Sequence, residues 1–171
     1  MKEYQLEIFA DYFQFHLHDE NMNPNFGNAW DQFSVDNFLA ITPEGIGIGT
    51  ARNMDVPVTI KICDSEPKLK ENLNQVFQIN ESDLTIISEK LVVIGSTEYN
   101  PDAKHIEIDN GIYRVRIYYS NLDKLSEDKL SEDKLSEDGL DGEDYYEIEI
   151  WKTDEVQESK FDRIKPVHNK T

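Results

Sequence analysis

Apolar and polar residues alternate with a period of two over most of the chain, the signature of strands with one buried face. Between Tyr4 and Phe9, residues Tyr4, Leu6 and Ile8 share one side. Between Tyr12 and His18, residues Phe13, Phe15 and Leu17 point one way and Tyr12, Gln14, His16 and His18 the other. Asn, Pro and Gly between Asn21 and Asn28 mark a loop. A helical pattern runs from Trp30 to Ile41, with Ser34 as its cap and Val35, Phe38 and Leu39 turned inward. Strand-like runs then follow closely. Gly45–Thr50 is rich in glycine, as an edge or a bulge would be. Val56–Ile62, Gln75–Ile79, Leu84–Ser88 and Leu91–Gly95 come next, the last two as a hairpin around Glu89 and Lys90. His105–Ile108 passes through the turn Asp109-Asn110-Gly111 into Ile112–Tyr119, and Tyr145–Trp151 is the last strong strand. Roughly eight to ten short strands with at most one or two short helices predict an all-β fold, an antiparallel two-sheet β-sandwich.

One domain over residues 1–152 accommodates these elements, with a low-complexity hairpin insert at 120–144 and a polar tail over 153–171. The strands Ile112–Tyr119 and Tyr145–Trp151 are expected to pair antiparallel across the insert. Face matching sets Arg116 opposite Glu147, Arg114 opposite Glu149, Val115 opposite Ile148 and Tyr113 opposite Ile150, because a one-residue slip would put arginines against isoleucines. The insert repeats Leu-Ser-Glu-Asp from Leu125 onward. A period of five advances about 140° per repeat on a helix and changes face on a strand at each repeat. No regular element can bury Leu125, Leu130, Leu135 and Leu140 together, so the repeat reads as a solvated insert. The tail alternates charge sign and reads as mobile, with Phe161 and Ile164 able to dock one helical turn.

Charge changes the picture most. In 171 residues there are 35 Asp and Glu against 17 Lys and Arg, a net charge of −18 and a pI near 4.4. Residues 120–150 hold twelve carboxylates and three lysines, a net of −9, so half of the excess lies in and beside the insert. Such a chain repels phosphate backbones and anionic membranes, which excludes nucleic acid and membrane as expected partners. It favours a basic protein partner, whose approach the field would steer. No apolar run approaches a membrane span, the N-terminus carries no signal-peptide core, and Cys63 is the single cysteine. These features predict a cytoplasmic protein.

Candidate chemistry is sparse. His16 and His18 share a strand face, with Asp19 and Glu20 following. Two imidazoles and a carboxylate are metal-site vocabulary, but spacing fixes no third ligand, and the polar outer face of a half-exposed strand is the preferred reading. Gly45, Gly47 and Gly49 are not followed by the helix that a phosphate-binding glycine loop needs. Asp138, Asp141, Glu143 and Asp144 cluster hard oxygen ligands suited to Ca²⁺, although the EF-hand spacing is absent and an Asp-Gly turn accounts for the segment. Arg52 beside Asp55 suggests an internal bridge. No Ser-His-Asp or Cys-His arrangement is legible, and Cys63 reads as a small buried hydrophobe. No cofactor is expected apart from that Ca²⁺ alternative.

Four segments resemble a family of uncharacterised bacterial proteins: Ala10-Asp11-Tyr12-Phe13-Gln14-Phe15, Ala51-Arg52-Asn53-Met54-Asp55-Val56-Pro57-Val58, Gly111-Ile112-Tyr113-Arg114-Val115-Arg116 and Gly139-Leu140-Asp141-Gly142-Glu143-Asp144-Tyr145-Tyr146. The resemblance covers roughly residues 4–152. More distantly, the layout is similar to the competence protein J family, small acidic inhibitors of a bacterial DNA-entry nuclease. The shared features are the aromatic strand Tyr12-Phe13-Gln14-Phe15, a Trp30-led segment, a Gly-Ile-rich strand and the late Asn110-Gly111-Ile112-Tyr113 turn. The acidic repeat departs from that pattern, and no functional residue carries over. The resemblance implies a non-enzymatic inhibitor or immunity protein for a basic nuclease or toxin. The charge concentrated in the insert, not the resemblance, makes Asp128, Asp133, Asp138 and Asp141 the expected partner-binding residues. The alternatives are a Ca²⁺-binding module using the acidic loop and a metal-dependent enzyme on the His16/His18 face.

Overall fold

The alternating segments pair into two sheets in the computed structural model, which describes residues 1–123 and 142–165. In chain order the strands are β1 (Lys2–Phe9), β2 (Gln14–Asp19), β3 (Leu39–Thr42), β4 (Gly45–Gly49), β5 (Asp55–Cys63), β6 (Val76–Ile86), β7 (Lys90–Gly95), β8 (Lys104–Glu107), β9 (Gly111–Ser120), β10 (Tyr145–Thr153) and β11 (Lys160–Arg163). A short helix, α1 (Gln32–Asn37), lies between β2 and β3. One sheet has the order β1-β5-β10-β9-β6-β11 and the other β3-β4-β2-β7-β8. The fold is all-β, as the alternation predicts. All neighbours are antiparallel except β5 and β10, which run parallel with Ile60 opposite Ile148.

Both sheets feed one apolar cluster. Phe15, Leu17, Ile46, Ile48, Leu91 and Val93 come from the second sheet; Val58, Ile60, Val115, Ile117, Ile148 and Ile150 come from the first. At about 1.5–3 kcal/mol for each large aliphatic side chain fully buried, this cluster dominates stability. The inner face of β6 is polar at Gln78 and Asn80, both fully buried. Each amide donates to the Asn37 carbonyl, at 3.0 and 2.6 Å, and Asn80 also donates to the Tyr119 hydroxyl at 3.1 Å. Tyr119 in turn donates to the Phe38 carbonyl at 2.7 Å. These bonds hold the corner between α1 and β3.

Several sequence expectations are corrected. The helix is confined to Gln32–Asn37, and its cap is Asp31, whose carboxylate accepts the Ser34 amide at 2.8 Å. Phe38 takes a left-handed conformation (φ 59°) and ends it, and Leu39–Thr42 pairs with β4 as a strand instead of continuing the helix. Gly45–Gly49 is an internal strand between β3 and β2 rather than an edge. Its glycines admit the 21–31 loop: a Cβ on Gly47 would lie 3.0 Å from the Trp30 ring and 3.2 Å from Phe26. The runs Gln75–Ile79 and Leu84–Ser88 merge into the single strand β6. β6 and β7 belong to different sheets, so Glu89 (φ 60°) sits in a crossing and not in a hairpin. The Asp109-Asn110-Gly111 turn likewise joins β8 of one sheet to β9 of the other.

The strands β9 and β10 do pair antiparallel, but two residues from the expected register. Arg116 faces Glu149, Val115 faces Ile150 and Ile117 faces Ile148. The tail supplies β11, which extends the first sheet beside β6 with Phe161 opposite Asn80. Arg163 donates to Gln78 Oε1 at 2.6 Å and its guanidinium lies 4.8 Å from the Phe77 ring centre. Among the described residues no helix is long and apolar enough to cross a membrane.

Candidate partner interface

Register places several connections at one end of both sheets. Phe9 is opposite Asp55, Gln14 opposite Gly49, Phe15 opposite Gly95 and Tyr145 opposite Ser120. The 10–13 turn, the 50–54 loop, the 96–99 loop and the two ends of the insert therefore meet there.

Asp11 organises the turn. Its carboxylate accepts the Tyr12 amide at 3.1 Å and the Thr97 hydroxyl at 3.0 Å, and its carbonyl accepts Ser96 Oγ at 2.6 Å. Ala10 donates to the Met54 carbonyl at 3.0 Å, and the Phe13 carbonyl accepts the Thr50 amide at 2.9 Å. Between these anchors Tyr12 and Phe13 have φ of 56° and 60°. Left-handed backbone costs roughly 1–2 kcal/mol per residue for L side chains other than Gly, Asn and Asp. The expectation that Phe13 points inward with Phe15 fails here, because β2 begins at Gln14 and the turn carries both rings outward. Tyr12 is 71% exposed and Phe13 50%, and Phe9 and Tyr99, in segments at the same end, are 48% and 71% exposed. A strand with Asp before an aromatic pair signals such a turn only weakly, since the Ser96 and Thr97 anchors are more than eighty residues away.

The base of the insert is locked to the same end. Arg52 donates through Nε to Asp144, and both groups are buried. The other Asp144 oxygen accepts the Tyr146 hydroxyl at 2.7 Å, and that hydroxyl accepts the Ala51 amide at 2.8 Å. Burial, reinforced by the adjacent Asp144 charge, pushes the Tyr146 phenol well above its ordinary pKa. Asn121 Nδ2 donates to the Glu143 carbonyl at 3.1 Å across the insert. Asp144, read from sequence as a Ca²⁺ ligand, thus has both oxygens committed to protein donors, while Glu143 is exposed. Asp128, Asp133, Asp138 and Asp141 lie outside the described residues. The structure thereby brings together the 10–13, 51–55 and 143–146 segments, three of the four stretches that carried the sequence resemblance.

His16 and His18 share a face, as expected, but loop 21–31 covers it. His16 Nε2 lies 2.7 Å from Gln14 Oε1, which also accepts Trp30 Nε1 at 2.9 Å, and its ring centre is 4.1 Å from that of Phe26. Desolvation, with the His18 charge adding to it, lowers the His16 pKa to about 4. His18 Nδ1 donates to the Asp19 carbonyl at 2.6 Å. Asp19 is fully buried and accepts from the amides of Asn21, Ile87 and Ser88 and from the Ser88 hydroxyl, all within 2.9 Å. Among the described residues no three His, Cys, Asp or Glu side chains are grouped to hold a metal ion. Cys63 is only half-buried, and burial raises its thiol pKa.

Arg114 and Arg116 serve the outer face of the first sheet. Arg114 reaches Glu81, Asp83 and the carbonyls of Gln157 and Glu158; Arg116 reaches Glu81, Glu149, Glu66 and the Pro67 carbonyl. Glu147 is held by Lys61 and Lys70. Burial raises the Glu147 pKa, and the two ammonium groups outweigh it and hold the carboxyl below its ordinary value. The network ties segments 66–70 and 157–158 to the sheet, and its charges are consumed internally.

No protein-family model and no curated protein matches the chain. Two solved structures share its fold. Crocagin biosynthetic gene J is similar with a TM-score of 0.52 at 17% identity, covering 89% of this chain and 99% of that one. ComJ, the inhibitor of the DNA degrading activity of NucA from Bacillus subtilis, is similar with a TM-score of 0.61 at 14% identity, covering 90% of this chain and 96% of that one. The likeness to competence protein J read from the sequence therefore holds at the level of fold.

Proposed function

We propose that this chain is a non-enzymatic, acidic binding protein with a two-sheet sandwich architecture, an inhibitor or immunity protein for a basic nuclease or toxin. The observation that carries the reading is the end of the molecule just described. Phe9, Tyr12, Phe13 and Tyr99 are exposed there. Segments 9–13, 50–55, 95–99, 120–123 and 142–146 hold six carboxylates and one basic residue, Arg52, which is buried against Asp144. Large exposed aromatics in a charged rim are the composition of interface anchors. The fold shared with an inhibitor of DNA degradation supports the class of partner.

The insert departs from this end after Leu122-Asp123, and its carboxylates, among them Asp128, Asp133, Asp138 and Asp141, add to the negative field that would draw in a cationic protein. The reading needs no cofactor and sits most simply in the cytoplasm. Nothing specific favours the calcium or metal-enzyme alternatives.

Affinity capture from lysate of the native host, followed by DNA-degradation assays of the captured protein, tests the proposal. The expected result is a basic nuclease or toxin whose activity falls when the chain is added. Its association should slow as salt rises from about 50 to 300 mM, the range over which screening tightens. A captured partner that is acidic, or whose activity is unaffected, overturns the reading.

A further inference from the structure

The turn at Tyr12 and Phe13 breaks a rule that the rest of the chain obeys. In a strand, consecutive side chains leave on opposite faces, so one of these two rings would join Phe15 in the core. Consecutive left-handed residues (φ 56° and 60°) instead send both rings to solvent. Asn or Gly would occupy these positions with less strain. The strained pair is held by hydrogen bonds from the 50–54 and 96–99 connections. Rigid projection of two adjacent rings is thus built into the fold although neither ring contributes to the core. Of the five aromatic residues exposed among the described residues, four lie in segments at this end, and Phe33 is the other.

The charge around the rings selects the partner. The carboxylates of Asp55, Glu98, Asp123 and Glu143 are exposed in the same set of connections, where the one guanidinium, Arg52, is buried. Flat rings spaced among anions are the chemistry of single-stranded nucleic acid, whose bases stack on aromatic or guanidinium planes while its phosphates meet Lys and Arg. We propose that this end enters the nucleic-acid cleft of a basic protein as a surrogate for the strand: Tyr12 and Phe13 stand where bases stack, and the surrounding carboxylates stand where phosphates lie. The inference rests on the inhibitor reading above and adds the mode of inhibition, direct competition with the nucleic acid. Cation–π attraction to cleft arginines and lysines acts in the same direction.

The test uses NucA with a short fluorescent single-stranded oligonucleotide as substrate, and deca-arginine as a second, minimal probe. The variant is Tyr12→Asn with Phe13→Asn, which relieves backbone strain while removing both rings. Inhibition by the wild-type chain should raise the apparent KM for the oligonucleotide and leave kcat unchanged. The double variant should keep or raise the melting temperature while inhibiting roughly tenfold or more weakly, the order expected for lost stacking contacts. Inhibition that lowers kcat alone, or equal inhibition by the variant, overturns the surrogate mode and leaves the inhibitor reading standing. Absence of any inhibition of NucA counts against the inhibitor reading instead, and calorimetry with deca-arginine then decides the surface: a several-fold weaker Kd in the variant supports it, and an equal Kd overturns it.

Discussion

Arg116 and Glu149 face each other across β9 and β10, with Arg116 Nη1 3.4 Å from Glu149 Oε1. The same guanidinium reaches Glu81 on the other neighbouring strand and stacks 4.8 Å from the Trp151 ring centre. Face matching predicts Glu147 in that place. A slip of two keeps every side chain on its face, so alternation cannot distinguish the two registers. The third strand decides it, because β5 and its Lys61 lie beside β10 and take Glu147. A double-mutant cycle between Arg116→Met and Glu149→Gln should therefore show coupling of about 0.5–3 kcal/mol in urea denaturation, the range for residues in one ionic network. The cycle between Arg116→Met and Glu147→Gln should show much less.

Arg52→Met should destabilise the fold by about 3–5 kcal/mol, because it takes the cation from an Asp144 carboxylate that has almost no access to water. The loss is read as a fall in the urea midpoint. A change below about 1 kcal/mol would show that water reaches Asp144 when the loop relaxes.

His16 gives the protein a specific acid sensitivity. Its folded pKa of about 4 lies below the ordinary 6.5. Above pH 6.5 both folded and unfolded forms hold it neutral, and its contribution is fully present. As pH falls from 6.5 toward 4 the unfolded chain takes up the proton and the folded one does not, so stability drops by roughly 3 kcal/mol over that window. His16→Gln should flatten the stability profile between about pH 7 and 4.5. Asp19 acts at lower pH: burial raises its pKa, the amides of Ile87, Asn21 and Ser88 and the Ser88 hydroxyl more than reverse this, and the net shift is downward. Its contribution is present above the ordinary carboxylate pKa and is lost as pH falls through its lower folded value.

Deleting Ser126–Glu137 should leave the melting temperature within about 5 °C. Closure entropy changes by only about 0.6 kcal/mol per doubling of loop length. The strands on either side are joined by the Tyr145–Ser120 pairing and by the Asn121 bond to Glu143. A large loss of stability would show that the repeat's leucines are packed.

Neutralising Asp128, Asp133, Asp138 and Asp141 to Asn should slow association with a basic partner without changing the circular dichroism spectrum, since charge governs encounter more than packing. An unchanged on-rate would exclude the insert from recruitment.

Local pattern by itself determined most of the strands, which face of each of these is apolar, and that the fold is all-β: Val115, Ile117, Ile148 and Ile150 are buried as their period requires. It also located half of the charge excess in and beside one insert. These properties depend on residues within a few positions of each other. Only the tertiary structure decided what depends on distant partners. It made Leu39–Thr42 a strand, because β4 offers a pairing edge that outweighs helical periodicity. It made part of the polar tail into β11, because the edge of β6 needed hydrogen-bond partners. It set the β9–β10 register through β5, which lies more than fifty residues earlier in the chain than β9. It also turned Tyr12 and Phe13 outward, because anchors in two remote loops hold a backbone that no local propensity favours.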